Sequence, residues 1–178
     1  PTDLEYIINH AGDRVIFADE DLLPLLEPLW GKIPCVELLV ICRHGEGGES
    51  SFANQIDYED LIADHPAAYD WPDIPETAPM GLCYTSGTTG NPKGVMYTNR
   101  STYLHTLTES LTDSMGLSAL DSLLGIVPMF HAMGWGLPFA ASMLGTKQVY
   151  PHRFMTPDSF LNLMQQDQVT ISAGVPTI

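Results

Sequence analysis

The run Tyr84-Thr85-Ser86-Gly87-Thr88-Thr89-Gly90-Asn91-Pro92-Lys93-Gly94 gathers hydroxyls, glycines and one lysine into a single short stretch. That combination suits a loop wrapped around a polyphosphate. Glycines let backbone N–H groups approach an anion with no Cβ in the way. Successive N–H groups in a turn form a concave anion nest. Hydroxyls add donors, and Lys93 adds a charge on a flexible stem. The run is not the common G-x-x-x-x-G-K-[ST] loop, because Pro92 stands where the second glycine belongs. No G-x-G-x-x-G fingerprint occurs either.

A second constellation is Pro128-Met129-Phe130-His131-Ala132-Met133-Gly134-Trp135-Gly136-Leu137-Pro138. It sits where a strand-like run ends and a helix-like run begins. Ligands of open α/β sheets bind off the carboxyl ends of strands. An imidazole, an indole and glycines in an apolar frame suit a pocket for an uncharged chain with a polar head. On its own the segment reads first as core packing, with His131 and Trp135 as satisfied interior side chains.

The elements that must position these residues alternate between helix-like and strand-like runs. Leu4–Asn9 reads as the end of a helix, Val15–Ala18 as a strand, Leu22–Trp30 as a helix despite Pro24 and Pro28, and Val36–Ile41 as a buried parallel strand. Residues 43–79 form a polar connector with a short helix over Asp57–Asp64. A strand over Met80–Tyr84 leads into the hydroxyl-rich loop. The spacing then predicts a helix over Asn99–Met115, with Tyr103, Leu104, Leu107, Leu111 and Met115 as its core-facing stripe. Further strands are expected at Leu123–Val127, Gln148–Tyr150 and Val169–Val175. One helix closes at Ser142–Leu144, and another starts at Thr156-Pro157-Asp158, an N-cap followed by proline and an acid. The rhythm implies an α/β fold of mostly parallel sheet flanked by helices. Leu123–Thr146 is apolar enough to invite a membrane reading. Its prolines and glycines favour strand, loop and buried helix instead.

The 178 residues are 44% hydrophobic, which argues against disorder, and carry a formal charge of −15. Residues 1–79 hold 17 of the 22 acids and three of the seven bases, so the half bearing the loop is nearly neutral. An acidic surface disfavours nucleic acid and anionic lipid as partners. Cys35, Cys42 and Cys83, an odd count in apolar runs, point to reduced thiols and a cytosolic setting. No C-x-x-C or H-E-x-x-H occurs, and the histidines suggest no zinc site. The chain begins at Pro1 and ends at Ile178 inside an apolar run, so it is expected to be a piece of a longer protein.

The loop Thr85–Gly94 closely resembles the phosphate-binding signature of the AMP-forming adenylate enzymes. His131-Ala132-Met133-Gly134-Trp135 after Val127-Pro128-Met129-Phe130 resembles the medium- and long-chain fatty acyl-CoA synthetases among them. So do Leu144–Val149 and Ser172–Thr177. The likeness runs through essentially the whole chain and is weakest before residue 35. It implies part of a large N-terminal adenylation domain, with residues 1–119 in a first subdomain and 120–178 opening a second that holds the acyl pocket. It also implies roles. Thr85, Ser86, Gly87, Thr88, Thr89, Gly90 and Lys93 would hold the β- and γ-phosphates of ATP, with Thr85 on Mg²⁺. Lys93 and His131 would serve catalysis. His131, Ala132 and Trp135 would border nucleotide and acyl group, with Trp135 as a gate to the acyl tunnel. Gly174, Val175 and Pro176 would line the acyl or CoA passage. The implied activity is ATP-dependent acyl-CoA formation, with CoA as co-substrate and a homodimer as an expected full-length assembly. The family's Tyr-Gly-x-Thr-Glu motif, ribose-binding Asp and C-terminal lysine are not in these residues, so the piece alone is expected to be inactive. Rival readings are a short-chain, aryl- or alkylthio-propionate CoA ligase, a luciferase-like oxygenase and a non-catalytic nucleotide-binding module.

Overall fold

A computed structural model describes residues 2–45, 48–85, 90–152 and 155–174. Ser86–Thr89 and Val175–Pro176 lie outside the described residues. The chain divides into two compact units, one of residues 1–73 with 85–94, the other of residues 74–84 with 95–178.

The first unit opens with α1 (Thr2–Ala11) and a parallel sheet in the order β1 (Val15–Asp19), β2 (Leu38–Cys42), β3 (Gln55–Asp57). Val15 pairs with Leu38, and Leu39 pairs with Gln55. Leu39, Val40 and Ile41 are all buried, so β2 is covered on both faces, as a central parallel strand requires. Between β1 and β2 the expected helix breaks into a 3₁₀ turn (Glu20–Leu22), α2 (Leu23–Leu26) and a second 3₁₀ turn (Glu27–Leu29). Pro28 has no N–H for a continuing α-helical bond, so the chain tightens there. Leu23, Leu26 and Leu29 still reach one core with Ile8, Ile33, Val36, Leu39 and Ile41. The carboxyl ends of the strands are tied by charge. Arg43 bonds Asp57 at 3.0 Å and lies 3.8 Å from the buried Glu20, which also accepts the His44 N–H at 3.0 Å. The connector contains β3 and α3 (Tyr58–Ala63).

Next, β4 (Pro79–Thr85) pairs with β5 (Lys93–Thr98), a strand the sequence reading did not predict; all but Thr85, Lys93 and Gly94 of this pair belong to the second unit. Helix α4 (Asn99–Glu109) follows through a capping box. Thr98 accepts from the Ser101 N–H, and the Ser101 hydroxyl accepts from the Thr98 N–H. A second parallel sheet has the order β7 (Lys147–Val149), β6 (Ser122–Gly125), β8 (Ile171–Ala173). Successive residues of β6 face opposite sides. Leu123 packs with Leu137, Ala140 and Ala141 of α6 (Leu137–Leu144), and Leu124 packs with Phe160 of α7 (Pro157–Gln166). Helices therefore flank this sheet on both faces. The expected cap of α7 is present, with Thr156 accepting the Ser159 N–H at 3.2 Å.

The predicted helix over Asn99–Met115 stops at Glu109, where the Ser110 hydroxyl donates back to the Thr106 carbonyl at 2.8 Å. The predicted stripe is corrected as well. Tyr103, Leu104, Leu107 and Leu111 are exposed, while α4 buries Thr102, Thr106 and Glu109. The Thr106 hydroxyl tolerates burial because it donates to the Thr102 carbonyl at 2.8 Å. Leu123–Thr146 resolves into β6, a loop, a helical turn and α6. Among the described residues no helix is long and apolar enough to cross a membrane.

Candidate functional site

Thr85 closes β4 and Lys93 opens β5, so the strand pair brings the two ends of the hydroxyl-rich run together. The Thr85 hydroxyl reaches the Lys93 carbonyl oxygen at 3.5 Å, a loose contact that leaves it free to turn toward a ligand. Thr85, Gly90 and Lys93 are exposed, and Gly90 has φ +89°. The ends of the loop are thus open to solvent, as an anion site needs.

The second constellation grows out of the carboxyl end of β6. The chain leaves Gly125 and reaches His131, whose N–H donates to the Pro128 carbonyl at 2.9 Å. Five consecutive residues then have left-handed backbone: Ala132 (φ 46°), Met133 (54°), Gly134 (66°), Trp135 (58°) and Gly136 (79°). This short helical turn, α5 (Ala132–Trp135), is held from within. The His131 carbonyl accepts the N–H groups of Gly134 at 3.0 Å and Trp135 at 3.3 Å, and the Met133 carbonyl accepts that of Gly136 at 3.3 Å. Ala132, Met133 and Trp135 carry side chains in this region, at a cost of about 1–2 kcal/mol each. Strain of this kind persists only where surrounding structure over-determines it, and it gathers at ligand sites. The turn presents the His131 and Trp135 rings 6.4 Å apart, centroid to centroid, at 57°. Beside it lies a cleft of about 330 Å³ lined by Tyr97, Ser101, Thr102, His105, Ala132, Met133 and Gly136.

Gly174 follows β8, whose Ala173 pairs with Gly125 of β6. His131 and Gly174 therefore leave the same carboxyl edge of one parallel sheet, the edge where such folds bind ligands. A larger apolar cavity of about 550 Å³ in the first unit is lined by α1, β1 and α2 residues and contains none of the predicted site residues.

Two residues absent from the sequence reading belong to this site. His105 Nε2 lies 3.0 Å from the Trp135 carbonyl oxygen and 3.3 Å from Glu109 Oε1. Their i,i+4 spacing on a predicted helix was the available signal. It was masked by the more conspicuous apolar stripe. Burial pushes the Glu109 carboxyl above the usual range, and His105 pulls against that shift.

Comparison with known proteins bears on the whole chain. The medium-chain-fatty-acid–CoA ligase of Ectopseudomonas oleovorans is 43% identical over 176 residues, covering 98% of this chain and 32% of that protein. The 3-methylmercaptopropionyl-CoA ligase of Ruegeria pomeroyi is 41% identical over 179 residues, covering 100% of this chain and 33% of that protein. Among solved structures, an anthranilate CoA ligase in complex with anthranoyl-AMP shares the fold with a TM-score of 0.83 at 24% identity, over 99% of this chain and 33% of that one. The chain spans about a third of the length of the curated relatives it matches. The model of the AMP-binding enzymes matches residues 1–178 from end to end, and the chain belongs to that family.

Proposed function

We propose that the full-length protein activates a medium- or long-chain carboxylic acid with ATP and passes the acyl group to CoA. The observation that carries this reading is the loop between β4 and β5, whose exposed ends, Thr85 and Lys93, meet at one mouth within a chain of the AMP-binding family. In the first half-reaction a carboxylate oxygen attacks the α-phosphorus, and the bond to the β-phosphate oxygen breaks. Pyrophosphate leaves with the electron pair. In the second, the CoA thiol gives up its proton to solvent, its sulfur attacks the acyl carbon, the acyl carbon–oxygen bond to the phosphate breaks, and AMP leaves with the electron pair.

Such phosphoryl chemistry needs charge neutralisation more than covalent help. Lys93 and the hydroxyls and N–H groups of Thr85–Gly90 would supply it at the β- and γ-phosphates. The Thr85 hydroxyl is a hard oxygen donor suited to Mg²⁺, which commonly takes one or two protein groups with substrate phosphates. Bound there, Mg²⁺ would neutralise phosphate charge. His131, Ala132 and Trp135 would border the reacting acyl group, with the apolar cleft beside them excluding water from the mixed anhydride. Gly174, Val175 and Pro176 would line the passage. A cytosolic setting fits the free thiols of Cys35, Cys42 and Cys83.

The Ruegeria pomeroyi relative, at 41% identity, favours a second reading in which the acid is a short alkylthio-propionate. The test is pyrophosphate release by the full-length protein with ATP, CoA and a panel of acids: hexanoate to palmitate, 3-methylthiopropionate and benzoate. Release with the longer alkyl acids is expected. Release confined to the alkylthio acid selects the second reading, and release with none of them sinks both.

A further inference from the structure

His105 and Glu109 of α4 face the left-handed turn from beneath. A carbonyl oxygen only accepts, so the hydrogen between His105 Nε2 and the Trp135 oxygen, 3.0 Å apart, must sit on the imidazole. The same nitrogen lies 3.3 Å from Glu109 Oε1. Glu109 is no ordinary surface partner. Its side chain is 10% exposed, and its Oε2 is buried with no hydrogen-bond partner. The pair comes this close because Gly136 has no side chain. A Cβ there would stand 2.5 Å from His105 Cδ2 and 2.9 Å from Glu109 Oε2. A strained turn, a buried carboxylate and a glycine that admits them thus converge on one backbone carbonyl.

We propose that His105 and Glu109 are positioning residues that hold the turn Ala132–Gly136 left-handed through the Trp135 carbonyl, and so set the Trp135 indole and the Ala132–Met133 wall of the acyl cleft. The cleft's role rests on the function proposed above; the grip on the turn rests on geometry alone. Burial lifts the Glu109 carboxyl, while the half-exposed His105 beside it lowers it.

The test is hydrogen exchange of the Gly134, Trp135 and Gly136 amides in the full-length protein, with the KM for the acid measured in parallel. His105→Leu removes the donor. Exchange in the turn and the KM for the acid should each rise about fivefold, the worth of one neutral hydrogen bond. His105→Gln restores an N–H donor and should return both toward wild type. Glu109→Ala, which leaves the imidazole in place, should raise exchange about twofold, and it carries the test if the leucine variant does not fold. Unchanged exchange in these variants overturns the clamp, whatever the activity. Faster exchange in a protein whose wild type activates no acid leaves the clamp standing and overturns the acyl-site reading.

Discussion

Gly136→Ala puts the geometry of the turn to a quantitative trial. Gly136 sits at φ +79°, where an alanine costs about 1–2 kcal/mol. Its new methyl would stand 2.5 Å from His105 Cδ2 and 2.9 Å from both His105 Nε2 and Glu109 Oε2, all too close to remain. The imidazole can swing aside only by releasing the Trp135 carbonyl, at about 0.5–1.5 kcal/mol for the lost bond. Against these stands the reduced freedom of the unfolded chain, about 0.4–1 kcal/mol in favour of alanine. The balance is a loss of about 0.5–3 kcal/mol, read from urea midpoints of the full-length protein at unchanged slope. A double-mutant cycle with His105→Ala isolates the cause. With the ring already gone, Gly136→Ala should cost less by about 0.5–1.5 kcal/mol, because the two changes share one contact. A Gly136→Ala protein as stable as wild type, or strictly additive losses, would refute the reasoning.

Two further outcomes are expected. Lys93→Ala in the full-length protein should lower acid-dependent pyrophosphate release about tenfold or more, since one preorganised charge at developing phosphate charge is worth that much; an unchanged rate removes Lys93 from the role. Glu27 is held down from 4.5 to about 2 by hydrogen bonds from the Ser51 hydroxyl, the Trp30 indole and the Ser51 N–H. A depressed carboxyl stabilises the fold above its unfolded pKa and loses that contribution as pH falls through the folded one. Stability of the first unit should therefore decline between about pH 4.5 and 2, and Glu27→Gln should flatten that decline in urea midpoints taken across the window.

Local chemistry was readable along the chain wherever one residue type dictates one conformation or one bond. Thr156 and Pro157 announce a helix start, and the structure has it there. The apolar run around Leu39–Ile41 announces a strand buried on both faces, and β2 is one. The composition of Thr85–Gly94 and the pattern at His131 and Trp135 carried the resemblance that the family match bears out. Periodicity alone misjudged α4. It identifies an apolar side of a helix, but what covers that side depends on other segments, and here the threonine face is the buried one.

What tertiary structure alone decided is the shape of the site. Nothing in the order Ala132-Met133-Gly134-Trp135-Gly136 forces five left-handed residues in a row, because side chains there oppose that backbone and only an outside grip sustains it. That grip comes from His105, on a helix preceding β6, and from Glu109 one turn further along it. A contact between segments some thirty residues apart is set by how α6 packs against both α4 and β6, which no local propensity encodes.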